Sequence, residues 1–105
     1  MIRITKLYRN NELFGFQIEG HAGYSIPGRD IVCAAVSTIT LNTINSITML
    51  SNAEMDIKES RDGFIQYTLT PRPGIIADTL LKSANIGYKS IAEQYPENVS
   101  VIERQ

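Results

Sequence analysis

The sequence predicts an α+β domain of order ββαββαβ, a mostly antiparallel sheet with two helices packed on it. Three features lead there: short stretches with period-two alternation, two long stretches whose apolar residues recur at helical spacing, and turn-forming residues between them. Ile2–Tyr8 and Leu13–Glu19 alternate as strands, and Asn10-Asn11 suits the left-handed dihedrals of a tight hairpin. Phe14, Phe16 and Ile18 share one face of the second strand, and continuing the alternation puts His21 on the other, beside Gln17 and Glu19. Gly23, Pro27 and Gly28 make the stretch from His21 to Arg29 an irregular loop. Asp30–Leu50 reads as a long helix with Val32, Val36, Ile39, Thr43, Ile47 and Leu50 on one stripe, broadened by Ile44, and Asp30 in N-cap position. Its many β-branched residues lower helix propensity, so burial has to hold it. Glu54–Ser60 and Phe64–Thr70 flank a hairpin signal, Arg61-Asp62-Gly63, and Pro71-Arg-Pro-Gly74 ends the second of them. Ile75–Tyr95 is the second helix, with Ile76, Leu80, Ala84, Gly87, Ile91 and Tyr95 as its stripe. A glycine in a helix interior costs about 1 kcal/mol against alanine, so Gly87 implies close packing on a neighbouring backbone. Pro96 stops the helix and Asn98–Glu103 forms the last strand. No linker or repeat divides the chain, and 105 residues make one domain, 1–105.

Ten Lys and Arg against eleven Asp and Glu give a net charge of −1, which speaks against direct nucleic-acid binding, since that requires a basic excess. No apolar run approaches the roughly 20 residues of a membrane span, and Met1-Ile-Arg-Ile-Thr-Lys has no signal-peptide core. One cysteine cannot form an internal disulfide, which suits a reducing, cytoplasmic setting. One Cys and one His do not supply the four ligands of a structural zinc. Neither metal nor cofactor is expected.

The single His and the single Cys lie in one short stretch. With Asp30 as N-cap, Cys33 sits at N3, near the positive end of the helix dipole. Such a position favours the thiolate, which is the nucleophile. A histidine across a Gly-rich loop can take the thiol proton and return it to a leaving amine, while amides at the helix start hold a tetrahedral oxyanion. The alternatives are a buried structural cysteine, since Cys33-Ala-Ala-Val lies in an apolar helix, or a redox-sensing thiol. Asp30 reads better as a cap than as an orienter of His21. Ser37, one turn beyond Cys33, either hydrogen-bonds the site or tolerates a tight helix contact. Tyr24 and Ile26 are large for a plain connector; they either pack within the loop or serve a mobile lid hinged at Gly23 and Gly28.

The stretch Gly20-His-Ala-Gly-Tyr-Ser-Ile-Pro-Gly-Arg-Asp-Ile-Val-Cys-Ala-Ala-Val-Ser37 resembles the signature of the ribosomal-processing cysteine protease family, Prp. Gly20, His21, Ala22, Gly28, Asp30, Cys33 and Ser37 meet its fixed positions. The resemblance implies a cytoplasmic, homodimeric cysteine endopeptidase. Its substrate would be the N-terminal extension of the twenty-seventh large-subunit ribosomal protein, cleaved after a Phe-Phe-Ala-like sequence. By the same resemblance Cys33 is the nucleophile and His21 the general base. Gly20, Asp30 and Ser37 are supporting positions, and Ala22, Gly23, Tyr24, Ile26 and Gly28 belong to a substrate-binding loop. The competing reading is a non-catalytic dimeric module that binds a ribosomal protein and keeps Cys33 in its core.

Overall fold

Asn10 and Asn11, at φ of 54° and 63°, supply the left-handed pair that a two-residue hairpin needs. The flanking strands, β1 (Ile2–Arg9) and β2 (Glu12–Glu19), pair antiparallel from Arg3↔Glu19 to Arg9↔Glu12. A second hairpin joins β3 (Met55–Ser60) to β4 (Phe64–Leu69) through a three-residue turn that ends in Gly63 at φ 71°. The remaining elements of this computed structural model, which describes residues 1–26 and 29–105, are α1 (Ile31–Leu50), α2 (Ile75–Gln94) and β5 (Val99–Arg104). β4 pairs with β2 and β5 runs parallel to β1, giving the sheet order β3-β4-β2-β1-β5. The sheet is therefore mixed, with three antiparallel pairs and one parallel pair. Both helices are crossovers, because β2 and β3 point the same way, as do β4 and β5, and such strands need a long connection.

One face of the sheet carries Ile4, Phe16, Ile18, Tyr67 and Leu69 into a core shared with Val32, Val36, Ile44 and Ile47 of α1 and Ala77, Leu81, Ala84 and Tyr88 of α2. The other face is mostly polar, with Leu7 and Ile102 among its side chains: Arg3 pairs with Glu19 at 3.3 Å, and Gln17 lies opposite Gln66. The buried stripe of α2 is centred one position beyond the one expected: Ala84 is common to both, and Leu80, Ile91 and Tyr95 pack against the core from its edge. Ala77, Leu81, Ala84 and Tyr88 point inward, and Ile76 is half exposed. Periodicity alone could not set that phase, because the isoleucines at 75, 76, 86 and 91 compete with a tyrosine whose hydroxyl has buried partners. Leu50 is likewise exposed, and Thr40 takes a buried place on α1. A Cβ on Gly87 would come within 2.8 Å of the Ile39 Cδ1, so the helix contact it permits is with a side chain rather than a backbone.

The absence of a membrane-length apolar stretch also needs correction. α1 has 20 residues and no charged side chain, enough to span a bilayer by length and composition. In this fold it packs along α2 and buries Val32, Val36, Thr40, Thr43, Ile44 and Ile47, as the central helix of a domain does.

Candidate active site

Gly20 ends β2 and redirects the chain. Its φ is 92°, and a Cβ there would collide with the Met1 carbonyl oxygen, so both the dihedral and the space demand glycine. Its N–H donates to the Gly63 carbonyl at 3.0 Å, tying the start of the loop to the β3–β4 turn. Strand alternation stops at Glu19, so the parity assigned to His21 does not carry across Gly20. His21 instead turns to the helix side, where it lines a cavity of about 370 Å³ together with Ile18, Cys33 and Ser37.

Cys33 occupies N3 of α1, half buried, on the wall of this open cavity rather than sealed in the core. The Ala22 N–H donates to its Sγ at 3.3 Å. Ala22 is buried, and its carbonyl accepts from Asn98 Nδ2 at 3.0 Å, which ties the segment holding the thiol to the start of β5. Nothing in the sequence singled out Asn98.

Asp30 caps α1. Its Oδ1 accepts from the amides of Val32 and Cys33, both at 3.0 Å, and its Oδ2 accepts from Tyr24 at 3.0 Å and Ser25 at 3.2 Å. The Cys33 amide, first among these four donors, holds the carboxyl below the ordinary carboxylate value against the opposing effect of desolvation. All four partners are backbone groups, so the carboxylate joins loop to helix. No bond from it to His21 exists among the described residues. The cap has a further consequence. The amides of Val32 and Cys33 point at the Asp30 side chain, and that of Ala34 donates to its carbonyl at 3.1 Å. These helix-start amides are engaged and do not form the oxyanion site expected of them. The Ala22 N–H and the Ser37 hydroxyl remain near the thiol, and Ser37 faces the cavity rather than a helix contact.

The rest of the loop stands apart. Gly23 has φ 68° and open space around it, but it lies between residues anchored on both sides. Tyr24 packs edge-on against Tyr95 at 5.5 Å, and its amide is clamped by Asp30. Tyr24 and Ile26 are exposed, and neither lines the cavity. Gly28 lies outside the described residues. The loop as far as Ser25 is therefore pinned rather than freely hinged at Gly23.

Sequence reasoning missed the opposite wall of the cavity, made by Glu59, Ser60, Arg61, Gly63, Phe64 and Ile65. The turn signal at 61–63 predicted a hairpin but not which residues that hairpin would face. Among the described residues no cluster of His, Cys, Asp and Glu side chains suits a metal ion. A thiol with an amide donor, an imidazole in the same cavity and a facing wall of mixed polar and apolar side chains together suit acyl transfer through sulfur.

A family model for the cysteine protease Prp matches residues 1–100. The ribosomal processing cysteine protease Prp of Bacillus subtilis is 26% identical over 94 residues, covering 85% of this chain and 84% of that protein. The crystal structure of SMU.848 from Streptococcus mutans superposes with a TM-score of 0.81 at 32% identity, over 100% of this chain and 96% of the other. The crystal structure of the ribosomal processing protease Prp from S. aureus, in complex with a covalently linked product peptide, has a TM-score of 0.93 at 24% identity. It covers 99% of this chain and 100% of that one.

Proposed function

The chain belongs to the cysteine protease Prp family, and from that premise we propose that it removes the N-terminal extension of the twenty-seventh large-subunit ribosomal protein, with Cys33 as nucleophile and His21 as general base. The observation that carries the assignment is the thiol on the cavity wall, facing an amide donor and sharing the space with the chain's single imidazole. The covalently linked product peptide of the S. aureus relative supports a peptide as substrate.

His21 takes the Cys33 proton and the sulfur attacks the scissile carbonyl carbon, forming a C–S bond and placing negative charge on the carbonyl oxygen. Collapse of the tetrahedral intermediate breaks the C–N bond, and His21 delivers the proton to the leaving amine. A water molecule, deprotonated by the same imidazole, then hydrolyses the thioester, and the thiol is restored. As the charge leaves sulfur for oxygen, the Ala22 N–H and the Ser37 hydroxyl are the nearby donors that can follow it. Glycines 20 and 23 and the clamp of Asp30 on Tyr24 and Ser25 hold the loop that delivers Ala22. Tyr24 and Ile26 act as an outer contact for the peptide, beyond the cavity.

Incubation with a peptide spanning the extension and the mature N-terminus, followed by mass spectrometry, tests the assignment. One cut at the junction is expected, and none with Cys33→Ala. An uncut peptide, or a verified Cys33→Ala protein that still cuts, rejects it. The protein works in the cytoplasm as a symmetric homodimer, in keeping with a small core and with the isoleucines exposed at 75, 76 and 86. Light scattering at micromolar concentration should give twice the chain mass, and the monomer mass would refute the dimer.

A further inference from the structure

We propose that Gly63 is a positioning residue for the His21 imidazole. A Cβ built on Gly63 would lie 3.1 Å from both Cε1 and Nε2 of that ring and 3.1 Å from the Gly20 carbonyl oxygen. These separations are shorter than ordinary van der Waals contact, so the ring edge rests in the space that the missing side chain leaves. The Gly20 N–H to Gly63 carbonyl bond, at 3.0 Å, fixes the turn against the residue that precedes the imidazole. Gly63 is also part of the cavity wall opposite Cys33. The turn residue is thus held from one side and presses no atom on the ring from the other. Any side chain there pushes Nε2, one of the two ring atoms able to carry the catalytic proton, along a direction set by the β3–β4 hairpin.

Gly63 has φ 71°, so a substitution both strains the backbone and crowds the ring, and the test has to separate the two. Asparagine tolerates a left-handed φ far better than alanine, yet both bring the same Cβ. Gly63→Ala and Gly63→Asn should therefore differ in melting temperature, with the asparagine variant higher, while both lose activity alike. A shift of a few tenths of an ångström at a reacting group predicts a fall in kcat of roughly ten-fold or more with KM nearly unchanged. The inference rests on His21 being the general base, so a second measurement is independent of cleavage. His21 is the single histidine, and its Cε1–H resonance identifies itself in a carbon–proton spectrum. An Overhauser contact from that proton to the Gly63 Hα protons is expected in the native protein, with the resonance displaced in both variants. Recovery of native kcat by asparagine, or an unmoved resonance in either variant, overturns the positioning role. Native cleavage by His21→Ala instead rejects the catalytic reading of His21, with the resonance still reporting the contact.

Discussion

In the proposed mechanism Cys33 and His21 handle one proton between them, so removing either should disable the same step. Cys33→Ala is expected to abolish cleavage while keeping the fold, because alanine fits its helical place, and peptide binding should persist. Cys33→Ser should be nearly as inactive, since a hydroxyl offers little anion near neutral pH. His21→Ala should cripple cleavage at pH 7 and regain part of it at alkaline pH, where a thiol ionises unaided. The double variant should be no slower than Cys33→Ala alone, which steady-state kcat/KM measures. Asp30 is a separate matter. Its two oxygens accept four amide bonds, whereas asparagine offers one oxygen and turns an NH₂ toward the other pair. Asp30→Asn should lower the melting temperature by several degrees and loosen the loop, more than a simple cap exchange would. The lowered carboxyl pKa carries its own sign. The carboxylate's contribution is fully present above a carboxyl's ordinary value of about 4 and is lost as pH falls through the lower folded value. Acid titration followed by circular dichroism should show a destabilisation below about pH 4 that is smaller in Asp30→Asn.

The elements were legible in the sequence wherever one local signal decided them. Asn10-Asn11, Arg61-Asp62-Gly63, Asp30 and Pro96 each marked an end that the fold keeps within a residue or two. What depended on a partner far along the chain was not legible: the parallel seat of β5, the phase of α2, the side on which His21 emerges after Gly20, and the hairpin wall of the cavity. The Gly20-to-Ser37 stretch pointed to the candidate site because its thiol, imidazole and cap are neighbours in sequence, while Asn98 and Gly63 reach it only through folding. The contact between the helices offers a quantitative check on such a partner. Alanine at Gly87 should gain roughly 0.8–1 kcal/mol of helix propensity, but its Cβ would press on the Ile39 Cδ1. Overpacking costs about 1–3 kcal/mol when the neighbour cannot move. Ile39 is only half buried and its terminal methyl can rotate, so Gly87→Ala alone should change stability by less than about 1 kcal/mol. Ile39→Val removes that methyl. In its background Gly87→Ala should become stabilising by about 0.5–1 kcal/mol, seen as a positive coupling in urea midpoints. An equal effect in both backgrounds would mean the helices do not meet there.

Three elements of the molecule meet in one buried chain of hydroxyls. The Tyr67 hydroxyl on β4 lies 2.9 Å from that of Tyr88 on α2, which lies 2.6 Å from Thr40 Oγ1 on α1. Thr40 donates its single proton to the Val36 carbonyl at 2.9 Å, so Tyr88 must donate to Thr40 and Tyr67 to Tyr88. Thr40 also lines the cavity that holds His21 and Cys33, one turn beyond Val36, so this chain fastens that part of the cavity wall to the sheet and to α2. Tyr88 is the middle link, because its oxygen accepts from one neighbour while its proton goes to the other. Tyr88→Phe leaves the Tyr67 hydroxyl without its acceptor and takes a donor from Thr40 Oγ1, which keeps its bond to the Val36 carbonyl, and should cost about 1–3 kcal/mol, whereas Tyr67→Phe removes only the end donor and should cost less. Burial pushes the Tyr67 phenol well above its ordinary value, and burial raises Tyr88 as well. For an acid whose folded pKa is raised, the stabilisation is whole below the unfolded value, about 10 for a phenol, and is lost as pH rises above it while the unfolded chain ionises freely. Urea unfolding at a series of pH values should therefore show stability falling above about pH 10, with the fall reduced in Tyr67→Phe. The same alkaline loss in a protein lacking both phenols would place its cause elsewhere in the chain.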